Sequence, residues 1–379
     1  LRIEQGIWNK DLGWRRDPPG ALTDSFKLVL LFGATSVLKD QKVFQEIRDQ
    51  YPSAHMLGCS TAGEIAGTQV FDDSLVSTAI AFESTQIEGA QIALSEAGSS
   101  FHAGERLAMS LNKESLAHVF VLSDGLMVNG SDLVRGLTKN LPAKVTVTGG
   151  LAGDGDRFRE TLVFWDGSPV KDTVAVLGLY GNRLKVGYGS LGGWDSFGPE
   201  RRITRSRGNV LYEFDGQSAL ELYKKYLGEH AKELPATGLL FPLSIRTKEG
   251  DAGVVRTILS IDKEDQSLTF AGDIPEGAYA RLMKANFDRL IDGAVGAAKT
   301  SYEAIGSTAP DLAVLISCVG RKMILKQRTE EEVEGVREVL GNKTVLTGFY
   351  SYGEISPFTP GAPCELHNQT MTITTFLEY

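Results

Sequence analysis

Apolar positions recur along this chain in three similar arrangements. Each is a short continuous apolar run, a glycine or small turn, a stretch with apolar residues at helical spacing, and a second apolar run ending in a glycine-rich loop. In the first, residues 27–32 lead through Gly33 to a face of Val43, Phe44, Ile47 and Tyr51, then to 54–57 and the loop Gly58-Cys-Ser-Thr-Ala-Gly-Glu-Ile65. The second runs from 118–122 through the face Leu133, Val134, Leu137 and Leu141 to 145–148 and Gly149-Gly-Leu-Ala-Gly-Asp-Gly155. The third uses 312–317, the face Val333, Val336, Val339 and Leu340, then 343–346 and Gly348-Phe-Tyr-Ser-Tyr-Gly-Glu-Ile355. Apolar sets at that spacing predict helices covering a sheet. The element Gly-x-x-(Ser/Thr)-x-Gly-Glu-Ile, written at 58–65 and again at 348–355, predicts an internal repeat.

Between the second and third arrangements the pattern shortens to β-rich runs separated by turn signals. Runs at 161–165, 174–180, 184–188 and 210–214, linked through Asp166-Gly167, Gly181-Asn182 and Gly208-Asn209, predict a hairpin series. A helix over 218–230 forms the expected seam between domains, followed by strands near 238–245, 254–261 and 268–270 and a long helix over 279–304. The predicted fold class is mixed α/β, with repeated strand-helix-strand units plus antiparallel β-rich segments, in two domains at 1–220 and 221–379. A chain of 379 residues exceeds what one compact core usually supports.

Charge narrows the choice of partner. A formal net charge of -9 disfavours a nucleic-acid backbone or an anionic membrane, since both select basic patches. A small molecule or a protein is left. Three dispersed cysteines, Cys59, Cys318 and Cys364, fit neither a disulfide framework nor a zinc site. No apolar run is long enough to span a bilayer, and residues 1–10 lack the apolar core of a signal peptide, so a cytoplasmic location is expected.

Glu64 and Glu354 occupy equivalent places in the repeated loop. Each either holds a ligand's donor or cation, or accepts backbone N–H bonds and rigidifies its turn. Ser60 lacks the nucleophile elbow because Ala62 stands where glycine is needed. Cys59 is matched by Phe349 in the second copy, which favours packing over thiol chemistry, although a hydrolase using Cys59 or Ser60 with Glu64 stays as an alternative. Gly187-Tyr-Gly-Ser-Leu-Gly192 spells a dinucleotide fingerprint but has no helix signal behind it, and reads as a glycine-rich β turn. Gly293-Ala-Val-Gly-Ala-Ala-Lys-Thr300 has Ala298 where a P-loop needs glycine, and its small residues suit close helix packing. The five histidines show no zinc spacing; a lone histidine, His367, could hold a haem iron or serve as a hydrogen-bonded structural residue.

Taken together, the two Gly-Glu-Ile loops, Gly149-Gly-Leu-Ala-Gly-Asp154, Cys318-Val-Gly-Arg321 and Leu366-His-Asn-Gln-Thr370 resemble the FIST family of sensory proteins over nearly the whole chain. The resemblance implies a FIST N-like region at 1–220 and a FIST C-like region at 221–379. It also implies an input role in prokaryotic signal transduction, binding a small-molecule ligand beside the glycine-rich loops and the domain seam. Output would run to a separate histidine kinase or a cyclic-dinucleotide signalling protein. Some family members resemble haem proteins that sense nitric oxide, so haem is the one cofactor implied, with His367 as its metal ligand if haem binds. The ligand-binding candidates are Cys59, Ser60, Thr61, Glu64, Gly149, Gly150, Asp154, Arg321, Tyr350, Ser351, Glu354 and Asn368.

Overall fold

The computed structural model describes residues 1–16, 25–234, 236–248, 253–359 and 361–379. Three copies of one unit make its body. In chain order each copy has an outer strand (Arg2–Asn9, Gln86–Ala93, Leu184–Leu191) and a first strand (Leu28–Gly33, Leu116–Ser123, Leu312–Cys318). A helix (Gln41–Gln50, Gly130–Lys139, Thr329–Leu340) then leads to a second strand (His55–Ser60, Thr146–Leu151, Val345–Ser351) parallel to the first. A short strand leaves for another unit's sheet (Glu64–Ala66, Val163–Trp165, Gly353–Pro357), and a return strand closes the copy (Ser74–Ala81, Thr173–Tyr180, Met371–Glu378). The first strands are buried almost throughout, so they read as unbroken apolar runs rather than alternating ones.

The lending is cyclic. Unit one's short strand pairs with unit three's second strand, unit three's with unit two's, and unit two's with unit one's. In each of the three six-stranded sheets the return strand separates the first strand from the outer one. Gly58, Gly149 and Gly348 share one register, opposite Leu31, Val121 and Leu315 of the first strands. A Cβ there would lie 2.4, 1.9 and 1.8 Å from those carbonyl oxygens, so the glycine that opens each loop is demanded by strand approach. The turns before the return strands also match: Asp73, Asp172 and Gln369 sit at φ 51, 50 and 62°.

Within unit three, between its outer and first strands, the chain inserts a second body at 195–284. It carries an eight-stranded antiparallel sheet covered by helix Ala219–Leu227, with Ile203, Leu211, Phe214, Tyr223, Leu268 and Phe270 in a core of its own. Helix Phe287–Ala304 brings the chain back.

Three sequence expectations change here. The runs at 163–165, 173–180 and 184–191 do not form hairpins with one another. They join three different sheets, each pairing with strands far from it in sequence. Only Asp195–Arg207 and Val210–Phe214 pair as a hairpin across Gly208-Asn209. The long helix over 279–304 is a strand, Tyr279–Lys284, and then a helix whose N-cap, Asn286, accepts from the Arg289 N–H. The glycine-rich run at 187–192 is mostly strand rather than turn. Gly187 and Gly189 let the outer strand approach the Ser301 and Ala297 carbonyls of the helix, whose own small residues answer them. Among the described residues no helix is long and apolar enough to cross a membrane.

Candidate functional site

A cavity of about 330 Å³ opens where the inserted body meets units two and three. Leu126 and Met127 line it from the loop after unit two's first strand, Val319 and Asn368 from unit three, and Thr257 and Leu259 from the insert. Asn368 lies in the tight connection between Cys364–His367 and the return strand, ahead of Gln369 in the left-handed region. Glu354 fixes that connection: its carboxylate accepts from the Thr370 N–H at 3.1 Å, the Thr370 hydroxyl at 2.9 Å and the Ser351 hydroxyl at 2.7 Å. Burial pushes the Glu354 carboxyl up to about 8 against those hydrogen bonds.

The Asn368 side chain is 1% exposed, and neither its oxygen nor its nitrogen has a partner. Thr257 Oγ1 on the opposite wall and Gln369 Oε1 beside it are likewise buried and unmet. Each such atom costs about 1–3 kcal/mol and calls for an explanation. The apolar walls are unusual in the reverse sense: Leu126, Met127, Phe158 and Leu259 are all exposed large hydrophobics and all line this cavity. Phe158 stacks on Tyr352 at 4.4 Å with an interplanar angle of 16°. The Tyr352 hydroxyl accepts from the Asp154 N–H at 2.9 Å and donates to the Gly155 carbonyl at 3.1 Å.

A second, polar cavity of about 470 Å³ lies on the other side of Val319, which lines both. Thr61, Glu64, Asp72, Arg157 and Lys322 face it. By strand register Asp72 is the counterpart of Asn368, and Glu64 that of Glu354. Glu64 accepts from the Ser74 hydroxyl at 2.6 Å, from the Ser74 N–H at 3.3 Å and from the Thr61 hydroxyl. Burial pushes its carboxyl up to about 7, opposed by these bonds and by Lys322. Lys322 donates to the Ala62 carbonyl at 3.0 Å and pairs with Asp72. The repeated loops therefore face different cavities, and each glutamate holds the turn that carries the next polar residue.

The other sequence candidates fall away from both openings or serve as supports. Cys59 is fully buried in an apolar cluster, where desolvation, with Glu64 nearby, pushes its thiol up. Ser60 spends its hydroxyl on the Gly153 carbonyl at 2.7 Å and the Leu162 N–H at 2.8 Å. Gly149 and Gly150 are ladder positions between strands. Asp154 accepts from Thr35 at 2.7 Å and pairs with Arg157. Arg321, fully buried, donates to Glu332 at 2.8 Å, to the Gly192 carbonyl at 2.6 Å and to the Leu290 carbonyl at 2.6 Å. Tyr350 donates to Glu332 at 2.7 Å, and Ser351 serves Glu354. His367 is buried with Nε2 on the Ser356 carbonyl at 2.8 Å, and burial pushes it down to about 4. It lines neither cavity. A ring so engaged and so enclosed does not fit a haem iron.

Sequence reasoning missed Met127, Phe158, Thr257 and Leu259. No periodic pattern marks a loop apolar residue as exposed, and two of these come from the insert, whose docking is not local information.

An uncharacterized protein of Methanocaldococcus jannaschii is 24% identical over 354 residues, covering 86% of this chain. The chain spans 65% of that relative's length. A solved structure, a cyanuric acid hydrolase from A. caulinodans, aligns over 93% of this chain and 90% of its own with a TM-score of 0.35 and 9% identity. Residues 27–217 match the FIST N domain and residues 219–357 the FIST C domain. The chain belongs to the FIST family, a family of signal-transduction sensors.

Proposed function

We propose that this chain is a cytoplasmic small-molecule sensor whose ligand occupies the cavity between the three-unit body and the insert. The observation that carries the reading is Asn368: a buried carboxamide with both ends unmet, in a residue that lines a space walled by two bodies. Among the described residues, polar links join those bodies around the cavity. The Asn129 amide donates to Asp273 at 3.0 Å, Arg256 to the Leu366 carbonyl at 2.9 Å, and the Gln369 amide to the Leu239 carbonyl at 3.3 Å. A ligand touching both walls favours one placement of the insert over others, which is the differential affinity a sensor requires. Output then passes to a separate histidine kinase or a cyclic-dinucleotide signalling protein.

Two readings have less support. A haem-based nitric oxide sensor needs an iron ligand, and His367 is engaged elsewhere. A hydrolase built on Cys59 or Ser60 needs a free nucleophile, and both atoms face the protein interior.

The test titrates pooled polar metabolites into full-length protein with ¹³C-labelled methionine methyls. Ligands are expected to shift the Met127 methyl and to lose affinity in Val319→Trp, which fills the cavity. Binders that leave Met127 unmoved, or that bind Val319→Trp equally well, would sink the reading.

A further inference from the structure

The Asn368 carboxamide offers one acceptor and two donors in a plane. Its full complement is a flat group with one donor and one acceptor on neighbouring atoms, the arrangement by which asparagine reads the edge of adenine. A carboxylate supplies only acceptors and an ammonium only donors, so either would leave one end of Asn368 unmet.

The walls reinforce that choice. Among the described residues lining the cavity there is no Asp, Glu, Lys, Arg or His. Cys318 and Tyr352 stay protonated, since burial pushes both up. The contrast within the molecule is direct. At the register-equivalent position Asp72 carries a charge and has Lys322 to meet it, whereas Asn368 is neutral and has nothing. An uncompensated charge entering this cavity would be desolvated without a partner. Apolar side chains, among them Phe158 lying flat on Tyr352, line the cavity, and its volume is at the small end of ligand pockets.

We infer that the cavity takes an uncharged planar heterocycle whose edge carries an adjacent hydrogen-bond donor and acceptor, such as a lactam or an amino-azine, read by Asn368. This rests on the sensor reading above and names the chemistry of its ligand. Thr257 Oγ1, buried and unmet in the same lining, is available to a further polar atom of the ring.

The experiment compares 2-quinolone with N-methyl-2-quinolone on the full-length protein, following the Met127 methyl. The two share their ring faces and their carbonyl, and the methyl group replaces the donor and adds one carbon, an added bulk that the comparison in Asn368→Leu separates from the lost donor. The lactam is expected to bind about tenfold or more tightly than the N-methyl compound. In Asn368→Leu, which keeps the side-chain outline, that discrimination disappears. The same variant melts at a higher temperature than wild type, because it no longer buries an unmet amide. Equal binding of the two quinolones by wild type, or unchanged discrimination in Asn368→Leu, overturns the inference. If Met127 still shifts in those cases, the cavity reading stands without it. No response to either quinolone also overturns it, and the metabolite titration then reports whether the cavity reading falls too.

Discussion

Glu64 and Glu354 each accept from a hydroxyl three residues earlier and from both the N–H and the hydroxyl of a residue at the start of a return strand, Ser74 as its first residue and Thr370 just before it. Burial raises both carboxyls from 4.5, to about 7 and about 8. The sign of the linkage follows. Above pH 4.5 the unfolded chain has released these protons while the folded chain keeps them, so folding loses stability as pH climbs towards the folded values. His118 and His367, pushed down by burial to about 3 and about 4, act in the opposite direction but only below about pH 6.5. Between about pH 6.5 and 8.5 the glutamates stand alone among these groups, and wild type is expected to lose roughly 2 kcal/mol. Urea midpoints across that range check this. A Glu64→Gln and Glu354→Gln double variant, whose amides reproduce the protonated pattern, is expected to give a nearly flat profile. An unchanged slope in the double variant would remove the glutamates from the account.

At the scale of elements, Arg321 shows how a helix of seven residues, Val319–Leu325, organises its surroundings. Its guanidinium meets Gly192, just before the chain enters the insert, and Leu290, just after the chain leaves it. Glu332 completes the set and is itself held by Tyr350 and Ser317. Arg321→Ala is expected to cost about 3–5 kcal/mol in urea unfolding, since it strands a buried carboxylate. Arg321→Lys should recover little of this, because one ammonium cannot serve three acceptors spread in a plane. Full recovery by lysine would show that charge alone matters.

Elements also mark what the sequence could disclose. The three strand-helix-strand units were readable because a covered sheet imposes continuous runs and 3.6-residue faces. The repeated Gly-Glu-Ile loop correctly pointed to equivalent turns, and Asn368 was reached through the motif around it. Hydrogen-bond partners were not readable. Apolar runs at 163–165, 173–180 and 184–191 look alike whether they pair with neighbours or with strands far along the chain. The residues at 279–284 have enough apolar content to extend a helix, and pairing with Asp195–Arg207 and Leu243–Arg246 overrides that.

The whole molecule is a ring of three units with one large insertion. The ring is not perfectly symmetric. Thr78 meets Thr347 and Thr374 meets Thr148, each at 2.8 Å, while the third such register is occupied by Leu57 and Leu177 in an apolar cluster. Cyclic lending makes the units interdependent. A fragment ending at residue 217 would leave unit two's sheet without Gly353–Pro357 and would leave Glu64–Ala66 paired with Gln69–Phe71 alone, without its place in unit three's sheet. Expressed alone, that fragment is expected to show poor amide dispersion and to bind a dye for exposed apolar surface. A sharp, dispersed spectrum would contradict the interdependence.

The insertion within unit three constrains how the chain can be made. Among the described residues Leu184–Leu191 pairs only with Met371–Glu378, far along the chain. At about 5–20 residues per second, a ribosome would hold that strand unpaired for roughly 10–40 seconds before its mate emerges. Throughout that interval an apolar edge is open to other nascent chains. Yield in the cell should therefore depend on chaperone supply and translation speed more steeply than the stability of the finished ring would suggest.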